Sequence, residues 1–285
     1  MKVDKFRTVI IYITIILLGL VCLLPLLNIV AISFSSSAAV EGNMVGLIPV
    51  GFSTAAYKKI LEDSQFWHSF LISVERVVLT LIINFVLIVL MAYPLSKTNA
   101  QFRGRNIYAN LMIFAMLFNG GMIPTFLLVK SYGLLNTVWA LVLPGAVPIF
   151  NVILVMNFFA AVPKELEEAA FIDGANPLQV LTKIFIPISK PVLATVSLFS
   201  IVGSWNDFYS GLIYMSKATY YPLMTYIQSL QINVEDLIKQ GNLSAVVDSA
   251  SLGNTNLNAA KIVVAVIPLL LIYPLLQRYF VSGIV

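Results

Sequence analysis

A cluster of ionisable side chains interrupts an otherwise oily stretch of this chain between residues 165 and 191. Four carboxylates fall within nine residues there, and they belong to Glu165, Glu167, Glu168 and Asp173. Carboxylates at this density can form charge-assisted hydrogen bonds with a basic surface on another protein. The cluster is therefore a candidate docking site.

The chain lacks most of the residues and motifs on which enzymatic catalysis usually depends. The sequence has one cysteine, Cys22, and one histidine, His68, so a disulfide framework and a thiolate metal cluster are excluded within the chain, and no second histidine or cysteine is present to build a metal site with His68. The HExxH motif and the GxxxxGK[ST] loop that cradles ATP phosphates do not occur. We expect no catalytic residue, no metal site and no cofactor bound by this chain.

The composition predicts a membrane protein. Of the 285 residues, 59% are hydrophobic and only 11% are charged, whereas soluble domains carry about 25% charged residues. Several segments without Asp, Glu, Lys or Arg reach the ~20 residues that a spanning helix needs. The fold class is therefore all-α and polytopic. The net charge of +4 is attributed to orientation-setting loops, and no nucleic-acid partner is expected.

Six transmembrane helices are predicted. They lie at 9–33, 70–95, 106–129, 138–160, 191–214 and 261–282. The sequence NGG at 119–121, with Pro124 after it, predicts a break in the third span, because irregular backbone at membrane depth is tolerated where it is buried or lines a cavity. The first span is too long for a signal-peptide core, so we expect it to be retained.

Lysine and arginine positions predict the orientation. With a cytoplasmic N-terminus, ten of these residues lie on inner segments and six on longer outer segments, which agrees with the positive-inside rule. Both termini and the acidic segment are then cytoplasmic, and the long loops 34–69 and 215–260 face outward.

The acidic segment is predicted to form two short helices joined by a turn. Gly174 permits the turn, and Pro177 suits the first turn of the second helix. One side of the first helix is expected to comprise Leu166, Ala169, Ala170 and Ile172. The apolar face of the second helix is expected to comprise Leu178, Leu181, Phe185 and Ile188, and Pro187 and Pro191 are expected to end that helix.

Two interpretations of this segment remain open from the pattern alone. An amphipathic helix resting on lipid would account for its second half. An anionic inner leaflet would repel the carboxylates of its first half. A partner protein with a basic cleft accounts for those carboxylates better.

A longer pattern covers the same residues. The residues EAA at 168–170 are followed after three residues by Gly174, and then after nine by IFIP at 184–187. This arrangement resembles the EAA signature of ABC importer permeases, including its extended form through Asp173 and Ala175. The stretches AYPLSKTNAQFRGRN (92–106) and GSWNDFYSGLIYM (203–215) resemble carbohydrate-importer permeases. The branch associated with uptake of complex polysaccharides and oligosaccharides is the most similar.

The resemblance implies a type I ABC importer transmembrane domain over residues 1–285, with a cytoplasmic coupling loop at 161–190. It implies contact with an ATPase through Glu167, Glu168, Ala169, Ala170, Asp173, Gly174, Ala175 and Pro187. Glu168 would meet a basic residue of the ATPase, and Gly174 would form the turn. ATP and Mg would be bound by the ATPase subunits.

The resemblance also implies partners and a location. The expected partners are a second, non-identical permease, a dimer of ATP-binding subunits, an extracellular solute-binding protein, the lipid bilayer and an oligosaccharide substrate. The expected location is a bacterial plasma membrane. Relatives commonly continue with a short tail that reaches the ATPase, so an end at Val285 predicts that this contact is reduced or made differently.

A polar group within the predicted fifth span is a candidate for the translocation pathway. It comprises Trp205, Asn206 and Asp207, with Tyr209 after it and Asn119 in the third span. An acidic side chain within a membrane-spanning helix usually faces a cavity or the interior of the helix bundle. The aromatic ring can stack on a sugar, and the amide and carboxylate can bind hydroxyl groups. A polar contact between helices is the alternative.

Other polar residues within the spans are given structural roles. Asn84 and Asn151 are expected to form interhelical hydrogen bonds, and Glu75 and Arg76 to anchor the second span at the interface. A secondary transporter or channel is the alternative function, and it requires buried charge pairs across several spans. An intramembrane enzyme is disfavoured because nucleophile, base and metal ligands are too few.

Overall fold

The computed structural model describes residues 5–118, 120–230 and 255–281, and its regular structure in these ranges is entirely helical. The principal helices are α1 (Lys5–Ser33), α2 (Ser37–Glu41), α3 (Ala55–Glu62), α4 (Ser64–Leu95), α5 (Arg105–Leu117), α6 (Met122–Ser131), α7 (Val138–Val142), α8 (Ile149–Ala160), α9 (Lys164–Ile172), α10 (Pro177–Ile188), α11 (Lys190–Asn206), α12 (Tyr209–Tyr214) and α13 (Thr255–Val281).

The prediction of an all-α protein with six apolar spans is confirmed, with three of the spans bent. Helices α1, α4 and α13 are each long and apolar enough to cross a membrane without a break. Three further spans are obtained when bent helix pairs are counted together, namely α5 with α6, α7 with α8, and α10 with α11. Helix α1 is predominantly apolar from Val9 onward and exposes most of its side chains there, as expected of a lipid-facing helix.

The predicted break in the third span is present. Helix α5 ends at Leu117, and α6 begins at Met122. Gly121 has a φ of 93°, a conformation that residues with a Cβ rarely adopt. The hydroxyl of Thr125 donates to the Gly121 carbonyl over 2.8 Å and satisfies one exposed acceptor at the break. The predicted pathway residue Asn119 lies outside the described residues.

The fourth and fifth spans were predicted to be continuous, and this is wrong. The axes on either side of residues 146–148 differ by 48°, next to Pro144 and Pro148, which lack the amide hydrogen that a continuous helix needs. In the fifth span, α11 stops at Asn206. Asp207 has an extended backbone, and its carboxylate accepts the backbone N–H of Ser210 over 3.1 Å, which favours a new helix over continuation of α11.

The described residues fall into two compact units. One contains residues 5–67 with the described part of 226–267, and the other contains 68–225 with the described part of 268–285. The predicted single transmembrane domain over residues 1–285 stays a prediction.

A buried ion pair stabilises the first unit. The ammonium of Lys261 lies 2.7 Å from the carboxylate of Asp63, and the Tyr226 hydroxyl donates to that carboxylate over 3.0 Å. The Lys261 side chain is only 4% exposed. Burial raises the pKa of Asp63, but hydrogen bonds from Lys261 and from the Phe66 amide outweigh burial and hold the pKa below its ordinary 3.8.

The core of the second unit forms where α4, α8, α10 and α11 meet. Its fully buried side chains include Ile88, Ala92, Val152, Val155, Val180 and Val196. Because residues of α10 belong to this core, the acidic helix α9 is held against the ends of membrane-spanning helices.

Replacing Asp63 with Asn is expected to lower the melting temperature of the solubilised protein by several degrees, because the buried Lys261 ammonium loses its counter-charge. The wild type should begin to lose this stabilisation as the pH falls below 3.8 and should lose all of it once the pH is below the lower pKa that Asp63 has in the folded protein. Glu62→Gln is the control, because that neighbouring carboxylate is exposed. Equal melting curves for the two variants would contradict a structural role for the pair.

Candidate functional site

The acidic segment forms the predicted pair of helices joined by a tight turn. Helix α9 ends at Ile172, and Gly174 adopts a φ of 82°. Asn176 then caps α10, since its side chain accepts the Gln179 N–H over 2.9 Å and the Gln179 side chain accepts the Asn176 N–H over 2.9 Å. This reciprocal capping box, with Pro177 at the first helical position, makes the turn compact.

One face of the segment is exposed in the described part of the chain. The carboxylates of Glu165, Glu168 and Asp173 are exposed, and the described part of the chain gives them no ion pair. Apolar side chains lie beside them: Ile172 is 86% exposed and Leu178 is 62% exposed. We call this surface, formed by Glu165, Glu168, Phe171, Ile172, Asp173 and Leu178, the acidic face.

The side of α9 predicted to comprise Leu166, Ala169, Ala170 and Ile172 is largely exposed. Leu166, Ala169 and Ile172 are exposed, and Ala170 is half-buried. Glu167, predicted to face a partner with the other carboxylates, is buried instead, with 8% of its surface exposed. Helix α9 turns Glu167 inward and its neighbours outward because a basic residue of the same chain lies beneath Glu167.

That basic residue is Lys97, just after the end of α4. Its ammonium lies 2.7 Å from the Glu167 carboxylate, and the Tyr93 hydroxyl donates to the same carboxylate over 3.2 Å. The exposed fractions of the two charged side chains are 13% and 11%. The pair therefore joins the base of the acidic helix to the end of the second span.

Aromatic rings surround this ion pair. The Lys97 ammonium lies 4.1 Å from the ring centroid of Tyr93 and 4.2 Å from that of Phe185, within the range of cation–π attraction. Phe185 packs edge-on against Tyr93 and Phe159, with centroids 5.1 Å and 5.4 Å apart. Burial lowers the pKa of the Lys97 ammonium, and the hydrogen bond and charge of Glu167 oppose that effect. We call Tyr93, Lys97, Glu167 and Phe185 the anchor.

Helix α10 completes the anchor from the other side. Its residues Leu181–Phe185 form a π-helical turn, and both of these side chains are buried, as predicted for its apolar face. Leu178 and Ile188, predicted on the same face, are exposed, because the wider turn changes which side chains point inward. Pro187 is exposed near the end of α10, next to the 84° bend at Ser189 that leads into α11.

Sequence reasoning missed two members of the anchor. Lys97 was counted only as an orientation signal, and Tyr93 was assigned to the second span without a role. Both lie in the stretch AYPLSK that resembled the importer family. Nothing in the spacing of residues along the chain indicates that Lys97 meets Glu167, which lies 70 positions later.

The predicted pathway residues occupy different environments. Trp205 is 4% exposed and packs edge-on against Phe70, with centroids 5.6 Å apart. Asn206 is exposed, and the Tyr209 hydroxyl donates to the Met122 sulfur over 3.0 Å. Asp207 forms an ion pair with Arg76. The role of these residues in a pathway stays a prediction.

The interfacial anchoring predicted for Arg76 is wrong. Arg76 is only 4% exposed, and its Nη1 also donates to the Asp207 carbonyl over 3.0 Å. The adjacent Glu75 is exposed and does not share this environment. The interhelical hydrogen bond predicted for Asn84 is confirmed, since its amide donates to the Ser200 hydroxyl over 3.1 Å. Among the described residues, His, Cys, Asp and Glu do not gather into a metal-binding group.

Replacing Glu167 with Gln is expected to lower the melting temperature by about 5 °C or more, because the mostly buried Lys97 ammonium would lose its counter-charge. Glu168→Gln is the matched control on the same helix, since Glu168 is exposed and its loss should leave the melting temperature unchanged. Thermal unfolding of the solubilised protein, without partner subunits, measures both. A similar shift in the two variants would show that Glu167 has no special structural role.

Comparison with known proteins gives one consistent result. A model of the family described as binding-protein-dependent transport system inner membrane component matches residues 84–285. Protein LplC of Bacillus subtilis is 40% identical over 265 residues, covering 93% of this chain and 88% of that protein. The polygalacturonan/rhamnogalacturonan transport system permease protein YtcP of the same organism is 38% identical over 280 residues, covering 98% and 96%.

A solved structure matches over nearly the same length. It is a chain of a bacterial ABC transporter involved in the import of the acidic polysaccharide alginate. The TM-score is 0.85 at 32% sequence identity, and the match covers 98% of each chain. The bent spans and the acidic segment therefore belong to an architecture that has been determined experimentally.

Proposed function

This chain belongs to the family of binding-protein-dependent transport system inner membrane components, and from that premise we propose how it is driven and what it carries. It is a multi-pass, non-catalytic permease subunit of an ABC importer. We propose that a separate ATPase docks on the acidic face, and that the cargo is an oligosaccharide released from a plant or algal polysaccharide.

The observation that carries the docking proposal is the division of the carboxylates on α9. Glu167 is satisfied internally by Lys97, whereas Glu165, Glu168 and Asp173 point outward beside exposed Phe171, Ile172 and Leu178. Apolar side chains ringed by charges are typical of a protein interface, in which burial provides affinity and the charges select the partner. A lipid surface would accept the apolar side chains but would repel the carboxylates.

The anchor supplies a route for movement from the acidic face to the membrane. Helix α9 is tied through Glu167 to the end of α4, and α10 continues through the 84° bend into α11. Displacement of the acidic face by a docked ATPase would therefore act on two spans together. On this proposal, hydrolysis of ATP on the partner drives the transition between outward- and inward-open states.

The remaining partners follow from the same function. We propose a second, non-identical permease, two ATP-binding subunits that hold ATP and Mg, and an external solute-binding protein. The acidic face and both termini would lie in the cytoplasm, with the loops 34–69 and 215–260 outside. Support comes from the excess of Lys and Arg on the proposed inner segments.

A polysaccharide-derived cargo is supported by two relatives of high coverage. One is a polygalacturonan/rhamnogalacturonan transport system permease protein, and the other belongs to an ABC transporter involved in the import of the acidic polysaccharide alginate. These polymers share uronic acid units. The secondary-transporter alternative is not favoured, since the family couples transport to a binding protein.

Replacing Glu168 with Lys is expected to abolish most sugar-stimulated ATPase activity and transport in the reconstituted complex, because it reverses the charge that faces a basic cleft. Gly174→Val should have a similar effect, since φ near 82° is strained for a β-branched residue although the space is open. Glu41→Lys changes an exposed carboxylate outside the acidic face, so it is the control and should be affected less. Undiminished coupling in Glu168→Lys would exclude this docking site.

Cargo is tested by uptake into proteoliposomes that contain the complete importer and its solute-binding protein. Labelled oligogalacturonates, rhamnogalacturonan fragments and alginate oligosaccharides are compared with maltose as the control. We expect ATP-dependent accumulation of at least one acidic oligosaccharide. Accumulation of maltose alone would contradict the proposed cargo class and leave the permease function intact.

A further inference from the structure

A stripe of polar side chains runs along one face of α4. Arg76, Thr80 and Asn84 are spaced four residues apart, so they lie on the same side of the helix and extend over about 12 Å. Their exposed fractions are 4%, 8% and 4%. All three line one cavity of about 230 Å³, together with Asn151 of α8 and residues of α11.

Each residue of the stripe keeps one polar atom without a hydrogen-bond partner. These atoms are the Nε of Arg76, the Oγ1 of Thr80 and the Oδ1 of Asn84. An unsatisfied buried polar group is destabilising, and the cost rises in a membrane, where no bulk water compensates. Three residues with such atoms line one wall of the cavity, which points to a polar occupant.

The hydrogen bonds around Asn84 define what that occupant must offer. The Ser200 hydroxyl donates its one proton to the Val196 carbonyl over 3.0 Å, so it accepts the Asn84 amide hydrogen over 3.1 Å. The Asn84 carbonyl oxygen is then the free atom, and it can only accept. The occupant must donate at Asn84 and accept at the Nε–H of Arg76, with Thr80 able to do either.

The charge of the cavity is already balanced. Arg76 donates to the Asp207 carboxylate and carbonyl and to the Leu141 carbonyl over 3.4 Å, which leaves its Nε–H for the occupant. A carboxylate entering the cavity would find the Arg76 charge neutralised, and it has no proton to donate to Asn84. A neutral group that both donates and accepts fits better.

We infer that this cavity is a saccharide subsite of the translocation pathway that recognises the hydroxyl edge of a sugar ring rather than a carboxylate. The inference rests on the proposed sugar-import function. Sugar hydroxyls each donate and accept, so hydroxyls spaced along a ring and its neighbour in an oligosaccharide can meet the alternating demands of Arg76, Thr80 and Asn84. Water fills the same positions when sugar is absent. The ring carboxylates of an acidic cargo would point away from this wall.

Three substitutions test the subsite without touching the ion pair. Thr80→Val and Asn84→Leu remove hydroxyl-binding atoms and preserve approximate volume. Gly203→Val adds bulk to the cavity, since Gly203 lines it and a Cβ there meets no atom within 4 Å. Thr195→Val is the matched control, because that hydroxyl donates to the Pro191 carbonyl in the same helix and lies outside the cavity.

The measurement is equilibrium binding of trigalacturonate, and of its methyl ester, to the permease–ATPase complex in nanodiscs without the solute-binding protein. Saturation-transfer NMR titrations give the dissociation constants. We expect Thr80→Val and Asn84→Leu to weaken both ligands by about three- to tenfold, the effect of one lost neutral hydrogen bond. Gly203→Val should weaken both at least as much, and Thr195→Val should not change either.

Several results would overturn the subsite. These are absence of binding by the wild-type complex, equal affinities in all variants, or a loss confined to the acid form, which would assign carboxylate recognition. Reduced recovery of the assembled complex with unchanged sugar affinity would assign the cavity to contact with the second permease. Uptake by the wild-type importer separates these results from failure of the proposed function. If the wild type transports the sugar and the variants bind it with unchanged affinity, only the subsite is rejected.

Discussion

The ion pair between Lys97 and Glu167 is the constraint on which the architecture of the acidic segment depends. A charged pair this deeply buried is stable only when geometry and additional hydrogen bonds compensate for lost hydration. Here the compensation comes from the Tyr93 hydroxyl and from the faces of two aromatic rings. Because Glu167 must point at Lys97, the neighbouring Glu168 and Ile172 must point outward. One internal contact therefore determines which surface a partner can meet.

Two ion pairs of this chain differ in their surroundings, since one is enclosed by side chains and the other borders a cavity. The anchor is closed by aromatic rings and leaves no role for an incoming ligand. The pair of Arg76 with Asp207 borders a cavity whose wall keeps three unpaired polar atoms. The first arrangement suits transmission of force, since both partners are held. The second suits transient binding, since a hydroxyl-bearing ligand can enter and leave without separating charges.

Bends in the spans lie near both the anchor and the polar cavity. Breaks at Gly121, near Pro148 and at Ser189 interrupt helices that would otherwise be rigid rods. The bend at Ser189 joins the acidic segment to a spanning helix, so a displacement of the acidic segment would act directly on that helix. The interruption at Asp207 instead places a backbone carbonyl and a carboxylate beside the polar cavity.

The sequence by itself determined the all-α class, the number of spans, the break at Gly121 and the helix–turn–helix at residues 164–188, because apolar run length, glycine and proline act locally. The EAA spacing indicated the family for the same reason. Only the tertiary structure decided that Glu167 faces inward, that Arg76 is buried against Asp207, and that Arg76, Thr80 and Asn84 share a cavity. These facts depend on contacts between residues 70 to 131 positions apart, and no local pattern of residue types encodes such contacts.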